Sequence, residues 1–239
     1  MRLLILPTLP VLLALLAGML CSTSAWSARS QLQASCEARS GGEVFTLTAR
    51  DAGYTVNNTL SYKTLTRLKG QDVARGYVLG LTRTESRIEI GLSAQILTDT
   101  QGARECIVPH IDVTLSYVPI IIYVGSEFPP QSCAYQEILA HEMRHLNAYL
   151  SHLPKVESLV RAALKRRFAE RPIYAPVGQG KAMLERELDA GWMPYIKKEI
   201  GKVEQIQASI DSTQEYKRLS KVCEGEVQLL IGSPKRNRK

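Results

Sequence analysis

The hydrophobic pattern changes its period once, at the pair Pro129-Pro130, and that single change bounds what the chain can fold into. Before it lie short runs that alternate apolar and polar residues or are rich in β-branched side chains, at residues 43–49, 53–60, 86–94, 105–116 and 118–124. Runs of this kind read as strands, punctuated by Gly41-Gly42, Asp51-Ala52-Gly53 and Thr100-Gln101-Gly102. Residues 65–81 are ambiguous and accommodate a short helix over 66–75. After Pro130 the apolar residues recur at helical spacing. Ser132, alone or with Gln131, can cap a helix over 133–153 that Pro154 stops; 155–170 makes a second helix, ended before Pro172. Residues 171–180 read as a loop, and 181–221 as a long helical stretch kinked at Gly191–Pro194, because proline cannot donate the backbone bond. Strands first and helices second predict an α+β single domain: a small, mostly antiparallel sheet followed by helices. With 45% hydrophobic and 22% charged residues in 239, whole-chain disorder and a fibrous repeat are excluded.

Arg2, the apolar run that follows to Cys21, and the small residues Ser22 to Ala25 have the order of a secretory signal peptide, placed within residues 1–28. Residues 29–239 then form the exported domain, and no second run reaches the length needed to span a membrane. Export leaves Cys36, Cys106, Cys133 and Cys223, an even number in a compartment that permits disulfides. Two bridges are expected, with a leaning to Cys106 with Cys133 and Cys36 with Cys223. The formal charge of +7 suits an anionic envelope polymer and identifies none. The run Pro234-Lys235-Arg236-Asn237-Arg238-Lys239 reads as a frayed basic tail, and no nucleic-acid partner is expected.

The sharpest chemical signal is His141-Glu142-Met143-Arg144-His145 inside the first helical segment of the second half. Four residues are about one turn, so both imidazoles share one helix face and can ligate one ion, while Glu142 projects about 100° away, where it suits a metal-held water better than the metal. Two protein ligands are too few for a catalytic zinc site. His152 lies about 10 Å further along the same helix and cannot reach that ion, and His110 reads as a structural or exposed histidine. Glu185 is the candidate third ligand, with Asp189 four residues on as the acceptor for a ligating imidazole; Glu187 and Glu157 are the fallback carboxylates.

With His141-Glu142-x-x-His145 and Glu185-x-x-x-Asp189 in place, the chain resembles the gluzincin branch of the zincin metallopeptidases. More narrowly, it is similar to bacterial proteins described as predicted secreted zinc-dependent proteases. It departs from the metzincin pattern, since Ala148 and Ser151 stand where that pattern needs glycine and a third histidine. The resemblance implies a zincin-like fold, Zn²⁺ as cofactor, a peptide or protein substrate and hydrolysis with Glu142 as general base. It also calls for a phenol or imidazole to steady the oxyanion, with Tyr149, Tyr195 and Tyr174 as candidates, and puts a substrate-pairing edge strand at 118–124 just before the active helix, although Ile120, Ile121 and Ile122 equally suit a buried strand. A secreted or periplasmic location follows. The alternatives are a non-catalytic envelope protein that keeps the scaffold and a peptidase of cell-wall crosslinks.

Overall fold

In a computed structural model of the chain, residues 30–40, 44–70, 76–99, 101–169 and 172–231 are described. The leader at 1–28, the tail at 234–239 and much of the helix expected over 66–75 lie outside them. All five expected strands are present, as β1 (Phe45–Arg50), β2 (Tyr54–Asn57), β4 (Ser86–Thr98), β5 (Arg104–Tyr117) and β6 (Ile120–Val124). Two strands of four residues, β3 (Gly80–Arg83) and β7 (Ile173–Pro176), are additional; β7 occupies part of the expected loop at 171–180. Four residues are too few for a period-two pattern to register.

The strands form two small mixed sheets, not one mostly antiparallel sheet. In the first, β1 runs parallel and β4 antiparallel to the central β5, and β7 takes the free end of the same β5 edge that β1 uses; in the second, β2 is parallel and β3 antiparallel to the central β6. The two sheets are successive halves of the same three strand lines. Arg50 faces Ser116 and Tyr54 faces Ile120, so the first line keeps one register across its break. The middle line breaks at the cis bond Val118-Pro119. Strand β6 is therefore central, with Ile120, Ile122 and Val124 buried, and the outer strand of its sheet beside the helical layer is β3. Of the two readings of 118–124, edge strand or buried strand, the buried one is present, with Ile120 and Ile122 filling the middle of the sheet.

Helix α3 (Cys133–Leu164) is one element of 32 residues that runs through Pro154, where a helix end is expected from the sequence. Proline removes one backbone bond, but buried Leu153, Val156, Val160 and Leu164 carry the apolar face across the gap. Ser132 Oγ accepts the Tyr135 N–H at 3.1 Å and Glu226 accepts that of Ala134 at 2.9 Å, so the first turn is capped twice. The N-terminal half of α3 packs on β3 and β6, and the helix also meets β1 and β5. The main core lies between the sheets and α3, with Ile107, Ile111, Leu115 and Ile122 meeting Leu146, Val156 and Val160.

The remaining helices are α1 (Gln31–Arg39), α2 (Tyr62–Lys69), α4 (Gly180–Glu187), α5 (Met193–Gly201), α6 (Val203–Ile210), α7 (Thr213–Leu219) and α8 (Glu226–Ile231). A π-helical turn, Leu188–Trp192, joins α4 to α5 where the kink is expected. From α6 onward the chain runs back beside the first half of α3. His145 meets Gln207, His141 meets Glu215, Glu137 meets Arg218, and Cys133 meets Cys223. This return arm is sparsely packed: in α7 only Glu215 and Leu219 are buried.

The four cysteines do form two bridges, paired differently from the leaning. Cys36 joins Cys106, tying α1 to β5, and Cys133 joins Cys223, tying the start of α3 to the arm, with Cα separations of 6.2 and 5.7 Å. Cys106 lies within β5, beside α1, and not next to the start of α3, so a bridge from Cys106 to Cys133 has no geometry to close. No described helix is long and apolar enough to cross a membrane.

Candidate metal centre

His141, Glu142 and His145 sit in the middle of the α3 segment that touches β3, and all three are buried. Nε2 of His141 and Nε2 of His145 are 3.2 Å apart, and Oδ1 of Asp211 lies 3.2 Å from the first and 3.1 Å from the second. Ligands about 2.0–2.1 Å from a tetrahedral zinc stand about 3.3 Å from one another. The triangle therefore has the dimensions of three corners of a zinc tetrahedron, and its two imidazole nitrogens and one carboxylate oxygen are a donor set that zinc accepts.

Each donor is oriented by a further contact. Asp211 sits at the joint between α6 and α7, outside helical geometry with φ −77° and ψ 43°, and its other oxygen takes Lys69 Nζ at 2.9 Å. Burial pushes its carboxyl up, but the two imidazoles and Lys69 outweigh that and hold it far below the usual carboxylate range. His145 Nδ1 meets the Gln207 carbonyl oxygen, while Gln207 Nε2 donates to the His145 backbone oxygen at 3.2 Å. That pairing leaves His145 Nε2 free to face the ion. His141 Nδ1 is 3.3 Å from Glu215 Oε1, and Arg144 Nη2 stands 2.8 Å from the same nitrogen. A hydrogen on Nδ1 given to the carboxylate leaves Nε2 to face inward, the tautomer that a metal ligand needs, whereas Arg144 donating to Nδ1 selects the opposite one. Arg144 and Arg218 both grip Glu215, and the Arg218 bonds are the main reason that its carboxyl is held down to about 2.

Glu142 does not join the triangle. Its Oε1 is 3.9 Å from His141 Nε2, and Thr82 of β3 donates to its Oε2 at 2.9 Å. Burial raises its carboxyl against the pull of both histidines. Gly80 makes this approach possible, since a Cβ there would stand 2.7 Å from Glu142 Oε1 and 2.7 Å from Ile138 Cγ2. The group opens into a cleft of about 1020 Å³ between β3 and the return arm, with Tyr149 and Tyr216 on its wall.

The structure brings His141, Glu142 and His145 together as expected, and replaces the expected third donor. Glu185 points outward from α4, half-exposed and 3.7 Å from Lys181, and Asp189 is exposed on the π-helical turn. Leu184 and Leu188 bury the other side of that helix, so the face carrying the two acids turns to solvent. Glu187 pairs with Arg167 and Glu157 with Arg161, both away from the cleft. Of the three tyrosines, only Tyr149 lines the cleft. Tyr195 packs on Trp192, and Tyr174 lies under Arg104 on β7. Tyr216 was not among the candidates; burial first, then Asp211 and Glu142, pushes its phenol up to about 12. His152 serves a structural role, its Nδ1 3.0 Å from the Tyr117 hydroxyl, which donates to the Ile200 carbonyl.

A signal for the missed residues exists. Gln207, Asp211 and Glu215 recur every four positions, and Ser212-Thr213-Gln214-Glu215 reads as a capping box that restarts a helix just after Asp211. Ser212 Oγ does accept the Glu215 N–H, at 3.2 Å. No protein-family model matches the chain, and neither the curated proteins nor the solved structures contain a match to it.

Proposed function

We propose that the chain is a zinc-dependent peptidase that works outside the cytoplasm, of the zincin type its motif resembles. The observation that carries this reading is the triangle of two imidazole nitrogens and one carboxylate oxygen with buried Glu142 beside it, open to a cleft. His141, His145 and Asp211 would hold the ion. Bound there, zinc supplies a Lewis acid for a carbonyl and a lowered pKa for water.

The chain's own groups do the rest. Glu142, held by Thr82 and raised by burial, takes a proton from the attacking water and hands it to the leaving amine. Tyr216, on the cleft wall beside Asp211, would donate to a developing oxyanion, and Tyr149 is the other phenol on that wall. The outer edge of β3 has no strand neighbour among the described residues, and residues 76–82 line the cleft, so an extended peptide can lie along it. Two disulfides suit an oxidising compartment and the secretory leader.

Metal analysis of the mature protein beside a Glu142→Gln form, with assays on casein and on peptidoglycan peptides, tests the reading. About one zinc per chain in both forms, with hydrolysis only in the wild type, is expected. Wild-type protein that holds no zinc, or hydrolysis that persists at full rate in Glu142→Gln, would refute it.

A further inference from the structure

Glu204 lies on the first turn of α6, on the same helix face as Ala208 and Asp211. Seven residues at helical rise put it about 10 Å from Asp211 along the axis, at the Tyr149 end of the cleft. The other two carboxylates that line the cleft are engaged, Glu142 by Thr82 and Asp211 by Lys69 and the histidines. Glu204 has no ion pair among the described residues, and the neighbouring Lys202 is taken by Glu199 at 2.6 Å. Between Glu204 and Asp211 the face carries Gln207, which is turned onto His145, and the Ala208 methyl group, the smaller of the two. Tyr149, largely buried against Tyr117 at a ring separation of 4.8 Å, lines the cleft with what remains exposed of it.

We propose that Tyr149 and Glu204 form a subsite for a cationic side chain, so that the substrates are peptides bearing a lysine, arginine or other amine-bearing residue within two positions of the scissile bond. This rests on the peptidase reading. An extended peptide advances about 3.3–3.6 Å per residue, so 10 Å is spanned by one or two residues plus the length of a lysine side chain. The alkyl stem packs against the exposed part of the tyrosine, and the ammonium group meets the carboxylate.

The test uses full-length mature protein loaded with zinc and octapeptides of alanine and glycine that carry Lys, the neutral isostere norleucine, or Glu at one position. The same peptides are titrated calorimetrically into zinc-loaded Glu142→Gln protein. A Lys preference over norleucine of about 10-fold in kcat/KM, expressed mainly in KM, is expected. It should fall to near one in Glu204→Gln and turn toward the Glu peptide in Glu204→Lys. A Lys preference that is missing in the wild type, or unchanged in Glu204→Gln, overturns the subsite. If no peptide is cleaved by any form, the binding titrations decide. A Lys preference that depends on Glu204 then upholds the subsite while the peptidase reading falls, and its absence overturns the subsite as well.

Discussion

Asp211 closes the site through one carboxylate, with Oδ1 toward both histidines and Oδ2 on Lys69. Replacing it with alanine should abolish stoichiometric zinc binding as fully as His141→Ala, whereas Glu185→Ala should leave zinc content unchanged; metal analysis of the three variants decides between the two acids. Gly80 is the second residue with a sharp prediction. Its Cβ position is already filled by Glu142 and Ile138, so Gly80→Ala must push aside Glu142, the proposed general base. Zinc should remain, the hydrolysis rate should fall about 100-fold, and unfolding should show a loss of about 1–3 kcal/mol from overpacking. His152 gives a pH dependence. Burial lowers its pKa, with Lys155 adding to the effect, so the unfolded chain binds its proton more readily than the folded one. Its contribution to stability is present above about pH 6.5 and is lost as pH falls through that value toward the lower folded pKa. The difference between wild-type and His152→Asn denaturation curves should therefore shrink between about pH 7 and 5, and a difference that grows would contradict the assignment. Subtraction removes His145, whose raised pKa acts with the opposite sign.

Among the elements, α3 and the return arm divide the site unequally. Helix α3 is anchored in the main core from Leu146 onward and, through Ala134, Tyr135 and Ile138, in a smaller cluster with Val124, Phe128 and Val227, and it is the part most legible in the sequence, because a 3.6-residue period and a histidine pair one turn apart are local properties. The arm is not legible in the same way. Glu185 and Asp189 satisfy the same one-turn spacing as Asp211 and Glu215, and only the burial of Leu184 and Leu188 tells which pair faces inward. Cysteine pairing is likewise a matter of which elements meet, and Pro154 shows that a breaker yields when the apolar face continues past it. The arm is tied down chiefly by Cys133–Cys223 and by the ion pairs of Arg144 and Arg218 with Glu215 and Glu137. Cys223→Ser or Cys133→Ser should thus weaken zinc affinity by 10-fold or more, the scale of losing an orienting partner, while loss of the Cys36–Cys106 bridge should lower thermal stability and spare zinc affinity. Competition with a chromophoric chelator, beside thermal melts, reads both; equal zinc affinity in all the variants would show that the bridge does not position the arm.

For the whole molecule, the two closures are nested on one ladder. The covalent one joins Cys133 to Cys223, and inside it the donor triangle joins His141 and His145 to Asp211. Residues 66 and 70 positions apart are thus held at one point in space. Zinc bound at that point, as proposed, would act as a reversible staple, and its binding energy would add to the cohesion of the fold in proportion to ln(1 + [Zn]/Kd). At a free zinc concentration 100 times Kd this amounts to about 2.7 kcal/mol, visible as a melting temperature that rises with each increment of metal. The staple fails locally before it fails globally, since the sheets, the C-terminal half of α3 and α5 keep their own core without it. Limited proteolysis of chelator-treated protein should accordingly nick the chain first within 202–222 and leave the remainder intact, with protection restored by zinc; first cuts elsewhere would show that the arm holds without the ion. Metal content would then become a mark that proteases can read: a copy without its ion exposes the segment that carries the third donor, and a single cut there makes the loss permanent.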